Sequence, residues 1–126
     1  MNHLRSFLPP PKAAANPAGS PTAPERTPEY FQPIAFLARS LADENRLRII
    51  GYISGGKRSV SSIVEELNLS QPLVSHHLRE LKRSLLVKIE RSGPFIYYEL
   101  SDPRILNVIK TLRTLADDLF SAGKIC

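Results

Sequence analysis

The chain has 126 residues and is basic, with a formal net charge of +5 and an isoelectric point near 9.7. Its length fits one domain, or one domain with a tail, and its charge favours a polyanionic partner, chiefly nucleic acid. No apolar run is long enough to cross a membrane, prolines interrupt the short apolar N-terminus that a secretory signal would need, and a single cysteine excludes an internal disulfide framework. These features predict a protein of the reducing cytoplasm.

Residues 1–28 have the composition of a disordered tail. Eight of the eleven prolines lie between Pro9 and Pro33, and large apolar side chains are few. Such a segment cannot bury enough surface to offset the entropy lost on ordering. We expect either an inert extension or an arm that binds phosphate loosely through Arg5, Lys12 and Arg26. The folded domain is predicted to span residues 29–122, followed by a short tail at residues 123–126.

Two helices are predicted in the first part of the domain. From Pro28 onward, spacings of four, three and four predict one buried stripe, formed by Tyr30, Ile34, Leu37 and Leu41. Asp43 is a good N-cap for a second helix that ends at Gly55–Gly56. The side chains predicted to share one face of this second helix are Leu47, Ile50 and Ser54.

A helix-turn-helix is predicted next. A short third helix at about Val60 to Leu67 turns three side chains inward, namely Ile63, Val64 and Leu67. The linker 68–70 joins it to a fourth helix, for which Ser70 is the N-cap and Pro72 fits the first turn. Two short helices joined by a link of about three residues are typical of this motif.

The fourth helix separates its side chains by face, at about 100° per residue. One side is apolar and comprises Val74, Leu78 and Leu81. The opposite side carries Pro72, Ser75, His76, Arg79 and Arg83. Short donors and acceptors can reach base edges in the DNA major groove, and arginines can reach bases or phosphates. For this segment alone, an ordinary amphipathic surface helix is the alternative.

A β-hairpin and a last helix complete the domain. Apolar and polar side chains alternate on both sides of Ser92-Gly93-Pro94 over residues 86–100, so a wing follows the helix-turn-helix. Pro103 opens a helix of about 18 residues with a seam typical of coiled coils, formed by Ile105, Ile109, Leu112, Ala116 and Leu119 and widened by Val108, Leu115 and Phe120. This stripe exceeds what one small domain needs, so we infer that it pairs with a second copy.

The predicted fold is therefore mainly α with a small β-hairpin. It is a winged helix-turn-helix of about five helices and a two-stranded wing, dimerising through the first and last helices. Three segments carry a family resemblance over about residues 30–120: SLADENRLRII at 40–50, LNLSQPLVSHHLRELKRSLLV at 67–87 and FIYYEL at 95–100. They resemble the ArsR/SmtB family of bacterial winged-helix transcriptional repressors. The resemblance implies a homodimer that places two recognition helices in successive major grooves, about 34 Å apart, and releases its operator when an inducer binds.

The resemblance places DNA-contacting positions on Gln71, Ser75 and His76, two of which the face analysis also selects. Pro72 and Pro94 stand where the family often has a hydroxyl and a basic residue. The full predicted DNA-binding set is Gln71, Ser75, His76, Arg79, Lys82, Arg83 and Arg91. For Lys82, Arg83 and Lys88 a solvated basic edge is the alternative to phosphate contact.

The resemblance also implies two kinds of metal site, and neither is intact. The positions of a Cys-x-Cys motif are Ser59 and Ser61, and the positions of a carboxylate–histidine set are Asp102, Arg104, Leu115 and Asp118. Two carboxylates without thiolate or imidazole make a weak zinc site, so we expect no metal and no cofactor. The inducer is left open as a small organic molecule or a redox change, the latter through a disulfide between two copies of Cys126.

The two adjacent histidines are predicted to play different roles. They diverge by about 100° around the helix and cannot easily share one ion. His76 is assigned to DNA and His77 to the inward side.

The sequence thus predicts a homodimeric repressor that binds double-stranded operator DNA, with no membrane partner. The alternative, which Pro72 and Pro94 at expected DNA-contact positions leave open, is a winged-helix module for protein interaction or RNA association. An enzyme is the least favoured class, because no nucleophile is paired with a base and no glycine loop could cradle a phosphate.

Overall fold

The computed structural model of the protein describes residues 26–123. One unit contains helix α1 (Pro28–Leu41) and ends at Ala42. The other contains α2 (Glu44–Ile53), α3 (Val60–Leu67), α4 (Gln71–Arg83), β1 (Val87–Ser92), β2 (Phe95–Leu100) and α5 (Arg104–Gly123). Most of the predicted N-terminal tail, with Arg5 and Lys12, lies outside the described residues, as does Cys126. The five helices and the hairpin confirm the predicted winged helix-turn-helix.

Helix α1 leaves its apolar stripe exposed. Tyr30, Ile34 and Leu37 are 41%, 50% and 39% exposed, and α1 has no buried residue. The stripe is thus exposed in a single chain, and its predicted burial depends on the predicted pairing of α1 with a second copy. An apolar stripe at helical spacing shows which face suits a partner, but it does not show that the partner belongs to the same chain.

The core of the second unit lies between α2, α3, α4 and the start of the hairpin. Its buried apolar side chains are Ile49, Ile50, Ile53, Ile63, Val74, Leu78, Leu81, Leu86 and Val87. Helix α2 packs against α3, α4 and β2, so its buried arc is wider than a single stripe. Of the side chains predicted to share one face, Ile50 is buried, and Leu47 and Ser54 are half-buried. In α3, Ile63 is buried as predicted, whereas Val64 and Leu67 are half-buried.

A side chain caps the N-terminus of each of the three core helices, α2, α3 and α4. The caps of α2 and α4 are the two predicted from the sequence. The Oδ1 atom of Asp43 accepts the backbone N–H of Arg46 at 3.0 Å, and the hydroxyl of Ser70 accepts that of Leu73 at 3.3 Å. Ser59 caps α3 by accepting the N–H of Ser62 at 3.1 Å. Each cap satisfies a donor that the helix itself cannot pair.

Replacing Asp43 by alanine is expected to lower the free energy of unfolding by about 1 kcal/mol, because the first turn of α2 loses its acceptor. Asp43→Asn keeps an acceptor of the right length, so it should cost less. Urea denaturation of the two variants at one protein concentration measures the difference. Equal losses for alanine and asparagine would contradict a capping role.

The turn of the helix-turn-helix is fixed from two sides. Asn68 ends α3 in the left-handed conformation, with φ of 55°, and its N–H donates to the carbonyl of Val64. From α2, the guanidinium of Arg48 donates to the carbonyl of Leu67 at 2.9 Å and to Oδ1 of Asn45 at 3.1 Å. The helix that precedes the turn is therefore tied to α2, a contact that sequence reasoning missed.

The hairpin is a two-stranded antiparallel sheet whose pairs run from Val87↔Leu100 to Ser92↔Phe95. Ser92 is thus the last residue of β1, and the turn is only Gly93–Pro94. Gly93 has φ of 62°, which a glycine adopts without steric cost. At the base of the wing, Arg58 and Tyr98 exchange backbone hydrogen bonds of 2.9 and 2.7 Å.

Helix α5 exposes much of its apolar face, although Ile105, Ile109 and Ala116 of the predicted seam are half-buried. Val108, Leu112, Leu115, Leu119 and Phe120 are each between 49% and 60% exposed. The helix begins one residue after Pro103 and has 20 residues, close to the predicted length. None of the helices in the described part of the chain is long and apolar enough to cross a membrane.

Candidate nucleic-acid interface

Helix α4 has the two faces that its sequence predicts. Val74, His77, Leu78 and Leu81 are buried. The exposed side chains are Gln71, Pro72, His76, Arg79, Lys82 and Arg83, and Ser75 is half-buried. Since the apolar back is held in the core, the polar front is presented to solvent on a fixed helix.

Some polar side chains on this front already have hydrogen-bond or ion-pair partners within the chain, and others do not. The amide of Gln71 donates to the hydroxyl of Ser75 at 3.3 Å, which joins two predicted base-reading side chains. Arg83 forms hydrogen bonds of 3.0 and 3.2 Å with the carboxylate of Glu80. Within residues 26–123, no carboxylate pairs with Arg79 or Lys82. These two cations are therefore the front's unpartnered positive charges.

The two histidines of α4 lie in opposite environments. Their ring centroids are 5.4 Å apart, yet His76 is exposed and His77 is only 4% exposed. The Nε2 atom of His77 lies 3.7 Å from Oδ1 of Asp43. Its Nδ1 atom is buried without a hydrogen-bond partner in the described structure. The predicted separation of the two histidines is confirmed for His77, which packs inward.

Burial holds the pKa of His77 below its usual value, and this effect outweighs the opposite influence of Asp43. In the unfolded chain the imidazole binds a proton at a higher pH than in the folded chain. The stabilising effect of a neutral His77 is therefore complete above pH ~6.5 and is lost as the pH falls below that value.

We expect the melting temperature to fall between pH 7.5 and pH 5.5, because the imidazole of His77 binds a proton more readily in the unfolded chain than in the folded chain. The variant His77→Gln should lose this part of the pH dependence, whatever its stability at pH 7.5. His76→Gln, which removes the exposed neighbour, should keep it. Thermal melts of the three proteins at both pH values make the comparison, and an unchanged pH slope in His77→Gln would contradict the assignment.

The wing carries a second, smaller set of polar groups. Arg91 is exposed on β1, opposite Ile96. Lys57, from the loop before α3, forms an ion pair of 2.9 Å with Glu90 and lies 5.5 Å from the centroid of the Tyr97 ring. The guanidinium of Arg58 stacks over Tyr52 at 4.4 Å. The two contacts of Lys57 attach the wing to the loop between α2 and α3, and they join residues too far apart in sequence for local patterns to reveal.

The positions of the two family metal sites have other contacts here. The hydroxyls of Ser59 and Ser61 lie 3.3 Å apart, and Ser59 is engaged as a helix cap. The carboxylate of Asp102 accepts the backbone N–H and the guanidinium of Arg104, each at 2.8 Å. These bonds hold the pKa of Asp102 below its usual value. The described residues contain no group of three or more histidine, cysteine or acidic side chains that could hold a metal.

The chain is similar to known regulatory proteins in its sequence. Residues 43–88 match the family model of the bacterial regulatory protein, arsR family. A Streptomyces lividans protein named "Probable mercury resistance operon repressor" is 34% identical over 105 residues, or 83% of this chain and 78% of the relative. The transcriptional repressor SmtB of Mycobacterium tuberculosis is 36% identical over 93 residues, or 73% of this chain and 69% of the relative.

A solved structure agrees with this at the level of the fold. The homodimeric winged helix-turn-helix DNA-binding domain from Mycobacterium bovis superposes with a TM-score of 0.66 at 23% identity, covering 79% of this chain and 91% of that one. The fold, the family model and the repressor relatives agree. The chain belongs to the ArsR/SmtB family of winged helix-turn-helix transcriptional regulators.

Proposed function

We propose that the protein is a homodimeric transcriptional repressor that binds double-stranded operator DNA through α4. The observation that carries the proposal is the front of α4, where exposed polar and cationic side chains stand on a helix whose back is fixed in the core. An α-helix of this kind fits the major groove, in which each base pair presents a distinct pattern of donors and acceptors. The wing follows this helix directly in the chain.

Seven side chains are assigned to this interface: Gln71, Ser75, His76, Arg79, Lys82, Arg83 and Arg91. Gln71 and Ser75 stand in the first turns of α4, from which short side chains reach base edges. His76 and Arg79 follow on the same exposed front. Lys82, Arg83 and Arg91 are assigned to phosphates, which fix the orientation of the protein on the duplex. Arg83 is paired with the carboxylate of Glu80, so we expect it to contribute less to DNA affinity than Lys82.

A second copy of the chain is the proposed partner of the exposed apolar helices. Helix α5 exposes a seam at heptad-like spacing, and α1 exposes a stripe of its own. Burying such stripes against an identical chain is favourable by about 25 cal/mol for each Å² of apolar surface removed from water. A two-fold dimer then sets two copies of α4 about 34 Å apart, one turn of DNA.

Release from the operator is assigned to an inducer that does not use the two family metal positions, since these positions carry no thiolate or imidazole. In addition, Ser59 is engaged as a helix cap and Asp102 in an ion pair with Arg104. A small organic molecule and a redox change are the two candidates. Thermal-shift and gel-shift assays against metals, oxidants and metabolites distinguish them. Release by zinc, cadmium or arsenite would overturn this assignment.

A gel shift with the promoter of the protein's own operon tests the function directly. We expect a shifted complex whose affinity falls steeply with added salt, with a slope of about −0.9 in log K against log salt for each phosphate contacted. A protein that shifts no DNA, but holds a stable protein or RNA partner in a pull-down, would instead be a winged-helix interaction module.

A further inference from the structure

The last turn of α3 carries an unfavourable charge for its position. The C-terminal end of a helix holds a partial negative charge, which cations stabilise and anions destabilise. Glu65 and Glu66 lie in this turn, both exposed, and the turn has no basic residue of its own. Because α3 has only eight residues, few internal hydrogen bonds offset this repulsion. A stabilising cation therefore has to come from another element.

Arg48 of α2 supplies this cation. Its guanidinium donates to the carbonyl of Leu67, the last residue of α3, at 2.9 Å. It also donates to Oδ1 of Asn45 at 3.1 Å, which orients it on α2. Among residues 26–123, no backbone N–H outside α3 donates to the carbonyl of Leu67, and no carboxylate pairs with Arg48. The guanidinium thus caps the C-terminus of α3 from a different helix.

The capped carbonyl stands where the turn of the helix-turn-helix begins. Asn68 follows it in the left-handed conformation, and Ser70 caps α4 two residues later. Helix α2 packs against both α3 and α4. A bond from α2 to the end of α3 therefore holds α3, the turn and the first turn of α4 in one fixed arrangement. That first turn begins at Gln71, one of the side chains assigned to base edges.

We propose that Arg48 is a positioning residue for sequence recognition, which acts through the end of α3 and contacts no DNA itself. By fixing the turn, it keeps Gln71 and Ser75 in the orientation that base contacts need. The proposal rests on the DNA-binding function proposed above. Hydrogen bonds to base edges depend on exact placement, whereas phosphate contacts act through charge and carry no sequence information. Loss of Arg48 should therefore affect sequence discrimination and not general affinity for DNA.

Arg48→Ala should weaken binding to the promoter by about fivefold and leave binding to a random duplex of equal length nearly unchanged. The slope of log K against log salt should stay that of the wild type, because no phosphate contact is lost. Lys110→Ala is the matched control. It also removes one exposed positive charge, on α5, and should leave the ratio of the two affinities unchanged.

Two further variants separate the geometry of Arg48 from its charge. Arg48→Lys keeps the charge but replaces the planar fork by a compact ammonium, so it should recover only part of the discrimination. Asn45→Ala keeps Arg48 and removes the acceptor that orients it, so it should lose part of the discrimination without a change in charge. If Arg48→Ala does not fold, Asn45→Ala carries the test.

Fluorescence-anisotropy titrations of the full-length proteins measure these effects, with both duplexes and over a series of salt concentrations. Melting curves establish that each variant is folded at the titration temperature. An equal loss of affinity for both duplexes in Arg48→Ala, with a salt slope smaller in magnitude by about 0.9, would show a phosphate contact and overturn the positioning role.

Wild-type affinity for both duplexes in folded Arg48→Ala would also overturn the positioning role and leave the proposed function in place. A wild-type chain that binds the promoter no better than the random duplex would instead overturn the proposed function, and with it the role of Arg48.

Discussion

Replacing Leu78 by alanine is expected to lower the free energy of unfolding by about 2–5 kcal/mol. Leu78 is 1% exposed and lies on the back of α4, so truncation removes buried apolar surface and leaves a cavity. Since a domain of this size is stable by only about 5–15 kcal/mol, the loss is a large share of the total. Urea denaturation, with wild type and variant at the same protein concentration, measures it.

Two control variants make this result specific to the buried face. Leu78→Met nearly conserves volume and should cost less than about 1.5 kcal/mol. Arg79→Ala changes the next residue of the same helix, which is exposed, and should change stability by no more than about 0.5 kcal/mol. If Leu78→Ala unfolded at the same urea concentration as Arg79→Ala, the back of α4 would not be part of the core.

Arg79→Ala and His76→Ala are each expected to weaken promoter binding by about 5- to 150-fold per contacting subunit. This range corresponds to the roughly 1–3 kcal/mol that a good base contact contributes. Both side chains are exposed on the front of α4, and Arg79 has no carboxylate partner in the described structure. Anisotropy titrations with promoter DNA at one salt concentration give the affinities, and thermal melts establish that the variants are folded.

Lys110→Ala provides a control with the same loss of charge. Lys110 is exposed on α5, outside the proposed DNA face, so its removal should change affinity much less than the removal of Arg79. A variant at His76 or Arg79 that melts far below the wild type would show that the assignment of faces on α4 is wrong. Equal losses of affinity on replacing Arg79 and Lys110 would show that the effect comes from the net charge of the protein and not from a contact between Arg79 and DNA.

Local patterns in the sequence were sufficient to predict most of the elements. Ser70 and Asp43 cap α4 and α2 as expected, because capping depends on residues three apart. The back of α4 was predicted from helical periodicity, and the same reasoning placed His77 inward. The hairpin followed from alternation and from Gly93–Pro94. These signals span a few residues, and the structure confirms them.

Other features depend on contacts between distant residues, which periodicity does not contain. Helix α2 packs against α3, α4 and β2, so Ile49 and Ile53 are buried, although the single predicted face contains neither of them. The hydrogen bond from Arg48 to Leu67 spans 19 residues, and the ion pair between Lys57 and Glu90 spans 33. No local rule links such pairs.

The stripes of α1 and α5 show the same limit. Their spacing correctly marked apolar faces, but the buried stripe expected for α1 is exposed in the chain by itself. A sequence pattern identifies a surface that needs a partner and leaves the identity of that partner to be measured. Here the proposed partner is a second copy.

The central claim is that α4 reads a DNA sequence. One measurement tests it most directly: the affinity of the full-length protein for its own promoter and for a random duplex of equal length, at the same salt concentration. We expect the promoter to bind about 10³-fold or more tightly, as specific regulators do. Equal affinity for the two duplexes would contradict the claim, because binding would then come from the phosphate backbone alone.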